Sequence, residues 1–273
     1  MTPREVLAKH GSSFYLASQF LRRNDARDIS MLYAACRLID DLADEQEGQT
    51  EALTALHQGL ASGDASCVPI DGFAEMAARR ALPLAPLATL AASAAAESQH
   101  AEPIKTLEAL LDYCYAVAGT VGELMCPLLG ADLQRGRDAA IALGIAMQLT
   151  NISRDVLEDA KQGRRYLPAD WVEDLSPEQI ANSAPAQRLV VSAAIQRIVD
   201  LAEQYYARAE TGFELIPWRN RQAIKVATQL YRSIGLAVAE NNCRYWEGRV
   251  SLNARQRTGV ALKTLISTGH AEG

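Results

Sequence analysis

Six acidic or amide side chains form two groups at helical spacing within otherwise apolar stretches of the sequence. They are Asp40, Asp41 and Asp44 in RLIDDLADE, and Asn151, Asp155 and Asp159 in QLTNISRDVLEDAKQGRRYLP. Residues four apart lie on one face of a helix, so Asp40 and Asp44 project together, and so do Asn151, Asp155 and Asp159. Like charges at that spacing cost a helix about a few tenths of a kcal/mol per pair. We interpret the repeated pattern as a site for cations, and specifically for magnesium and a diphosphate.

The chemistry of magnesium supports this interpretation. Magnesium prefers oxygen ligands and usually bridges one or two carboxylates to substrate phosphates. Arg37 precedes Asp40 by one turn, and Arg154 immediately precedes Asp155. Guanidinium groups suit phosphate oxygens and would also balance the carboxylates. A single pair of aspartates at this spacing is usually surface charge, but two pairs, each with an arginine, favour a site.

Bulk composition excludes several classes of protein. The 273 residues carry a net charge of −6, which argues against a nucleic-acid partner. The five cysteines are odd in number and form no CxxC pair, so neither a disulfide framework nor a zinc site is predicted. The opening MTPREVLAKHGSS lacks an apolar core, and no stretch is apolar enough to span a bilayer. We therefore expect a soluble, cytoplasmic protein.

Helix-period patterns run through the whole sequence, and no segment alternates like a half-buried strand. The predicted helices cover residues 3–20, 28–45, 49–60, 73–80, 84–97, 105–118, 135–159, 177–181, 185–213, 219–240 and 254–267. Gly119 and Gly122 interrupt an apolar stretch, which indicates a kink or a close approach by another chain segment or ligand. We predict an all-α fold in one domain, residues 1–273, with the two acidic helices facing a central apolar cavity.

Several segments together resemble the head-to-head prenyl synthases, meaning phytoene, squalene and dehydrosqualene synthases. The segments are HGSSFYLAS (10–18), YAACRLIDDLAD (33–44), YCYAVAGTVGE (113–123), QLTNISRDVLEDAKQGRRYLP (148–168), and LYRSIG with GRVSL (within 230–252). The resemblance covers nearly the whole chain, and the two acidic motifs in this order are its most specific part. It implies an isoprenoid-synthase-type helical bundle that joins two prenyl diphosphates head to head.

The resemblance also implies roles for individual residues. The implied magnesium ligands are Asp40, Asp44, Asp155 and Asp159, with Asn151 assisting and Asp41 as a further candidate. The implied diphosphate contacts are Ser13, Arg37, Arg154 and Arg249. Mn²⁺ is a candidate substitute for Mg²⁺, and NADPH is not expected for phytoene formation.

Four tyrosines match tyrosines of the family. The resemblance implies that Tyr33, Tyr113 and Tyr231 stabilise passing carbocations through their aromatic faces, and that Tyr166 contacts the substrate. The alternative is that each packs in the core with a satisfied hydroxyl. Gln148, one turn before Asn151, either lines the cavity or packs at the edge of its helix.

The resemblance also has implications for the length of the prenyl tail of the substrate. The resemblance implies that Ser18 and Ser30 point inward and leave room for a longer tail, which favours twenty-carbon geranylgeranyl diphosphate. The NISRD and RRYLPADW sequences also look more like those of phytoene synthases, which act in carotenoid biosynthesis. The alternative is a squalene, dehydrosqualene or presqualene diphosphate synthase that uses two farnesyl diphosphates.

Other classes remain as alternatives. A terpene cyclase or chain-elongating prenyl synthase is disfavoured, because the acidic motifs of the elongating enzymes are richer in acidic residues and the NISRDVLED helix does not resemble them. A non-catalytic metal-binding helical bundle is also disfavoured. Glu97 and His100 form a single ExxH pair, whereas a di-iron bundle needs two, so we interpret them as surface residues. The sequence leaves open the oligomeric state and a peripheral membrane contact for product release.

Overall fold

The fold of the protein is known from a computed structural model, and it is built from helices. The structure describes residues 1–44, 49–100 and 103–269, without the side chains of 12, 44, 49–50, 98–100 and 267–269. No strand occurs in these ranges. The α-helices are α1 Pro3–His10, α2 Ser12–Ser18, α3 Arg23–Asp44, α4 Gln49–Ala61, α5 Phe73–Arg79, α6 Leu84–His100, α7 Leu107–Cys114, α8 Thr120–Leu128, α9 Leu133–Lys161, α10 Pro177–Ala181, α11 Pro185–Glu210, α12 Trp218–Glu240 and α13 Ala254–Gly269. The predicted all-α class is confirmed.

Helix starts follow local capping chemistry. Thr2 and Glu5 form a capping box at the start of α1, and Pro3 occupies its first position. The Asp132 carboxylate accepts a hydrogen bond from the Arg135 backbone N–H at 3.0 Å and so caps α9. Ser176 caps α10 in the same way. The Asp132 cap explains why α9, which carries the second acidic motif, begins close to its predicted start.

Two predicted helix boundaries were wrong. The predicted helix 3–20 is broken at Gly11, which has non-helical φ −122° and ψ 57° and separates α1 from α2. A Cβ on Gly11 would lie only 3.0 Å from the Tyr33 hydroxyl oxygen. The second helix begins at Arg23 rather than at residue 28. Asp25 in its first turn and Asp28 in the next turn are paired with residues from outside α3.

A buried ion network ties α3 to α5 and α12. Asp28 is 1% exposed and accepts from Arg79 Nη2 at 2.6 Å and Arg80 Nε at 2.7 Å. Arg80 also reaches Asp25 at 2.5 Å, and Asn220 Nδ2 donates to Asp25 at 2.8 Å. The network fixes one end of α3, whose other end carries the first acidic motif.

We expect Asp28→Asn to lower the free energy of unfolding by about 2–3 kcal/mol, because it removes the buried carboxylate charge that pairs with both Arg79 and Arg80. The effect stays at the lower end of the range because the Arg79 side chain is 57% exposed. Urea denaturation measures this difference. The control is Asp71→Asn at an exposed position, which should change stability by less than about 0.5 kcal/mol. Equal stability of the two variants would contradict the proposed strength of the network.

Helix α9 is the central element of the bundle. It packs most extensively against α11 and α8 and also contacts α12. Glycines let α8 and α9 approach closely: a Cβ on Gly122 would lie 2.1 Å from the Ala140 carbonyl oxygen, and one on Gly144 would lie 2.1 Å from that of Ala118. A π-helical turn, Tyr115–Gly119, joins α7 to α8. The predicted irregularity at the GTVG segment is therefore both a change of helix type and a close backbone contact.

The bundle encloses a large apolar core. Among its fully buried side chains are Phe73, Leu87, Leu110, Leu124 and Tyr206. Within the described ranges, every helix is too short or too polar to cross a bilayer. The core surrounds a cavity bounded by α2, α3, α8, α9 and α12, which contains the candidate site.

Candidate active site

A cavity of about 400 Å³ lies between the two helices that carry the acidic motifs. Its wall is mostly aliphatic, with Leu32, Val121 and Leu143 as examples. Polar groups enter from opposite sides: Asp40 from α3, and Gln148 and Asn151 from α9. One residue of each motif, Asp40 and Asn151, thus lines the same cavity, whereas Asp155 and Asp159 do not line it. Of the two interpretations of Gln148 the structure favours the cavity-lining one.

Two arginines hold the carboxylate of Asp155. Arg154 donates from Nε to Oδ1 at 2.8 Å and from Nη2 to Oδ2 at 2.5 Å. Arg249 Nε lies 2.7 Å from Asp155 Oδ1. Arg249 comes from the segment between α12 and α13, 94 positions further along the sequence, so tertiary structure creates this contact. Arg154 and Arg249, predicted as diphosphate contacts, thus lie together at Asp155, a predicted metal ligand.

Asp159 lies one turn beyond Asp155 and is, like it, half-buried. Burial raises the pKa of Asp159 to about 7, and the negative charge of Asp155 adds to the shift, while Arg164 opposes it. The surroundings of Asp159 therefore disfavour the negative charge of its carboxylate. A cation would relieve that repulsion.

The first motif is more open. Asp40 and Asp41 are both exposed, and Arg37 Nη2 lies 2.5 Å from Asp41 Oδ1. Arg37 Nε is buried and makes no hydrogen bond among the described residues. Asp44 ends α3, but its side chain lies outside the described part of the chain. Ser13 is half-buried on α2. Asp41 is thus engaged with Arg37 rather than directed into the cavity.

Three aromatic rings form one wall near the mouth. Phe14 lies 5.2 Å from Tyr231 and 6.4 Å from Tyr33, measured between ring centroids. All three residues line the cavity. Burial raises the pKa of Tyr33 to about 12 and also raises the pKa of Tyr231, so both phenols stay neutral. Aromatic rings that line a cavity can stabilise a cation inside it.

Tyr113 and Tyr166 lie outside this aromatic wall. Their rings stack with centroids 4.9 Å apart. The Tyr166 hydroxyl donates to the Glu97 carboxylate. Neither tyrosine lines the cavity. The structure gives no support to a cation contact by Tyr113, and Tyr166 lines a small second pocket together with Asp159.

The structure corrects the interpretation of Glu97 as a simple surface residue. It is half-buried and accepts the hydrogen bond of Tyr166. The side chain of His100 lies outside the described residues. The available signal was the tyrosine in RRYLP, because a buried phenol requires a hydrogen-bond acceptor on a neighbouring element.

The two serines expected to leave room for the tail lie in different environments. Ser18 lines the cavity, and its hydroxyl donates to the Tyr15 carbonyl at 2.8 Å. Ser30 is 4% exposed, donates to the Ala26 carbonyl at 2.7 Å and does not line the cavity. The inward orientation predicted for Ser30 is therefore corrected, because its hydroxyl is directed back to the preceding turn of α3.

The donor set fits divalent cations that share a diphosphate. Asp40, Asn151, Asp155 and Asp159 supply only oxygen ligands, as magnesium prefers. Within the described side chains, which exclude Asp44, no three acidic, histidine or cysteine residues are close enough to form a complete metal site.

Sequence reasoning did not identify several residues of the cavity. Phe14 was not singled out, although its position in the HGSSFYLAS segment next to the predicted Ser13 could have indicated it. The deep end, where Gly136, Ala139 and Gly212 line the cavity, carries no polar signal at all. These residues become apparent only when α9 and α11 are placed together.

An all-α bundle with charged groups at the mouth of a deep apolar cavity defines a protein that holds an anionic head and an apolar tail. Residues 7–256 match the family model described as squalene/phytoene synthase, and the chain belongs to that family. Members of the family are prenyltransferases that act on prenyl diphosphates, and this chain is such an enzyme.

Similar proteins agree with this assignment. The chain is 36% identical to a 15-cis-phytoene synthase of Enterobacter agglomerans over 91% of this chain and 88% of that protein. It is 33% identical to a 15-cis-phytoene synthase of Pantoea ananas over 94% and 88% of the two chains. Among solved structures, a dehydrosqualene synthase in complex with ligand matches with a TM-score of 0.85 and 26% identity, covering 98% of this chain and 95% of that one.

Proposed function

We propose that the enzyme joins two molecules of geranylgeranyl diphosphate head to head, through a cyclopropyl diphosphate intermediate, to form phytoene in a magnesium-dependent reaction. The observation that carries the choice of substrate is the depth of the cavity. It extends along α9 from Asn151 at the mouth to Gly136. These positions lie about 22 Å apart along the helix axis at a rise of 1.5 Å per residue.

Prenyl tails can be compared with this depth. With ordinary C–C bond lengths, each isoprene unit extends a tail by roughly 5 Å, so a twenty-carbon tail needs about 20 Å and a fifteen-carbon tail about 15 Å. The longer tail matches the depth, whereas the shorter one leaves the deep end unfilled. The phytoene synthases among the relatives are consistent with this choice.

The head group would bind where the charges gather. Asp40, Asp44, Asp155 and Asp159 would hold magnesium, with Asn151 as an additional oxygen ligand. Magnesium, when bound, would supply positive charge that stabilises the leaving diphosphate. Arg154 and Arg249 already lie together at Asp155, and Arg37 has an unsatisfied Nε at the first motif. These guanidinium groups would bind diphosphate oxygens and favour departure of the leaving group.

The remaining steps take place in the apolar part of the cavity. The first allylic C–O bond breaks, and diphosphate leaves with the electron pair. The double bond of the second substrate attacks the cation, and loss of a proton closes a cyclopropane that keeps its own diphosphate. A second ionisation opens and rearranges the ring, and a second proton loss forms the central double bond.

The protein's role in these steps is protection and positioning. The aliphatic wall excludes water, which would otherwise quench the cations. Phe14, Tyr33 and Tyr231 line the cavity in which the cations would form. Each aromatic face can stabilise a cation by about 0.5–2 kcal/mol. The neutral phenols required for this role agree with the raised pKa values of Tyr33 and Tyr231.

A second candidate function has support from structural neighbours. The dehydrosqualene synthase noted above and a squalene synthase from Alicyclobacillus acidocaldarius share this fold, the latter with a TM-score of 0.76 and 25% identity. Use of farnesyl diphosphate would then give a thirty-carbon product or a released cyclopropyl diphosphate.

Product analysis with purified enzyme distinguishes the two candidates. The enzyme is incubated with Mg²⁺ and either geranylgeranyl or farnesyl diphosphate, with and without NADPH, and the hydrocarbons are separated by chain length. We expect a forty-carbon hydrocarbon without NADPH, no turnover after chelation with EDTA, and recovery when Mg²⁺ is restored. A thirty-carbon product, or full activity in EDTA, would contradict the proposal.

A further inference from the structure

We infer that Ala139, held against Gly212 at the deep end of the cavity, sets the maximum length of the prenyl tail. This inference rests on the proposed function, because it concerns the same cavity. Both residues line the cavity. Ala139 lies on the N-terminal half of α9, and Gly212 lies in the turn that follows α11.

The contact between these two residues is tight. A Cβ built on Gly212 would lie only 2.4 Å from the Ala139 Cβ. Gly212 has φ −92°, which any residue can adopt, so close approach rather than backbone conformation requires glycine here. The turn that follows α11 therefore packs directly against α9 at Ala139, and both residues line the cavity at this contact.

The next turn of α9 forms the end of the cavity. Gly136 is buried, and a Cβ on it would lie 3.0 Å from Cys126 Sγ and 3.6 Å from the Ala131 Cβ. Cys126 and Ala131 also line the cavity. Little space therefore remains beyond Gly136. A tail that reaches Gly136 must first pass Ala139.

The position of Ala139 along α9 separates the two substrate lengths. Ala139 lies about 18 Å from Asn151 along the helix axis. A fifteen-carbon tail of roughly 15 Å ends before Ala139, whereas a twenty-carbon tail of roughly 20 Å extends past it. A larger side chain at Ala139 should therefore exclude the end of the longer tail and leave the shorter one in place.

Binding of unreactive analogues tests this inference directly. Calorimetry with Mg²⁺ and the thiodiphosphate analogues of geranylgeranyl and farnesyl diphosphate gives the ratio of the two affinities. We expect Ala139→Leu to weaken binding of the twenty-carbon analogue by about tenfold or more, since misfitting a hydrophobic pocket by one or a few methylenes has effects of that size. Binding of the fifteen-carbon analogue should change by less than about twofold. Ala139→Val should shift the ratio in the same direction by a smaller amount.

The matched control is Asp138→Leu, which places the same side chain on the adjacent, exposed position of α9. It should leave the ratio unchanged. Thermal unfolding of each variant checks the fold, and Ala139→Val adds only two carbons in case Ala139→Leu is unstable. An unchanged ratio in a folded variant, or equal weakening of both analogues, would overturn the inference. The test is separate from the proposed function, because a thirty-carbon product from the natural enzyme would refute that function while the affinity ratio still tests Ala139.

Discussion

Replacing Asp155 or Asp40 by asparagine should lower turnover by about 10²-fold or more, because each change removes a charged oxygen ligand from the proposed diphosphate site. Asp40 lies on α3 and Asp155 on α9, so similar losses would indicate that both motifs act on one reaction. Steady-state assays with the substrate identified by product analysis measure the effect. Asparagine keeps the shape of the side chain, so the fold should survive.

Asp138→Asn is the matched control for these variants. It makes the same chemical change on an exposed face of α9 and should leave turnover within about twofold of the natural enzyme, as surface changes away from a site usually do. Asp155→Asn also removes a partner of Arg154 and Arg249, so circular dichroism must accompany its assay. Turnover near the natural level in a folded Asp155 variant would favour a structural role for the acidic helices.

Gly144→Ala should lower the free energy of unfolding by about 3 kcal/mol, at the upper end of the range for overpacking. The added Cβ would lie 2.1 Å from the Ala118 carbonyl oxygen, and a backbone atom cannot move aside as the end of a side chain can. To remove this steric overlap, α9 would have to move away from the segment that precedes α8. Because Gly144 also lines the cavity, turnover should fall as well. Chemical denaturation measures the stability difference.

Two other helical glycines provide controls for the same substitution. A Cβ on Gly259 in α13 meets nothing within 4 Å, and one on Gly235 in α12 lies in ordinary contact, 3.7 Å from Thr150. Alanine is favoured over glycine inside a helix, so Gly259→Ala should stabilise the protein by about 0.5–1 kcal/mol. Gly235→Ala should be close to neutral. A similar loss of stability in all three variants would show that the close approach at Gly144 is not the cause.

Sequence reasoning succeeded where local chemistry determines the outcome. The helices follow from apolar periodicity, and caps such as Asp132 explain where α9 begins. The spacing of Asp155 and Asp159 predicted their shared helix face. The break at Gly11 was missed because its cause is not local: the Tyr33 side chain on α3 occupies the space next to it.

Contacts between distant segments account for the other differences. Ser30 reads as a cavity residue by resemblance, yet its hydroxyl bonds to the preceding turn of its own helix. Glu97 reads as surface charge because its partner, Tyr166, follows 69 positions later in the chain. The deep end of the cavity depends on where α11 meets α9, which no periodic pattern specifies.

The two guanidinium groups on Asp155 have a consequence for the order of events at the site. Before any metal ion can coordinate this carboxylate, Arg154 and Arg249 must give up at least part of their hold on it. When the pyrophosphate group of the substrate binds, it provides a new anionic partner for the two guanidinium groups. This contact compensates for the loss of their ion pairs with Asp155. Mg²⁺ and the isoprenoid ligand should therefore strengthen each other's binding, and neither should bind tightly alone.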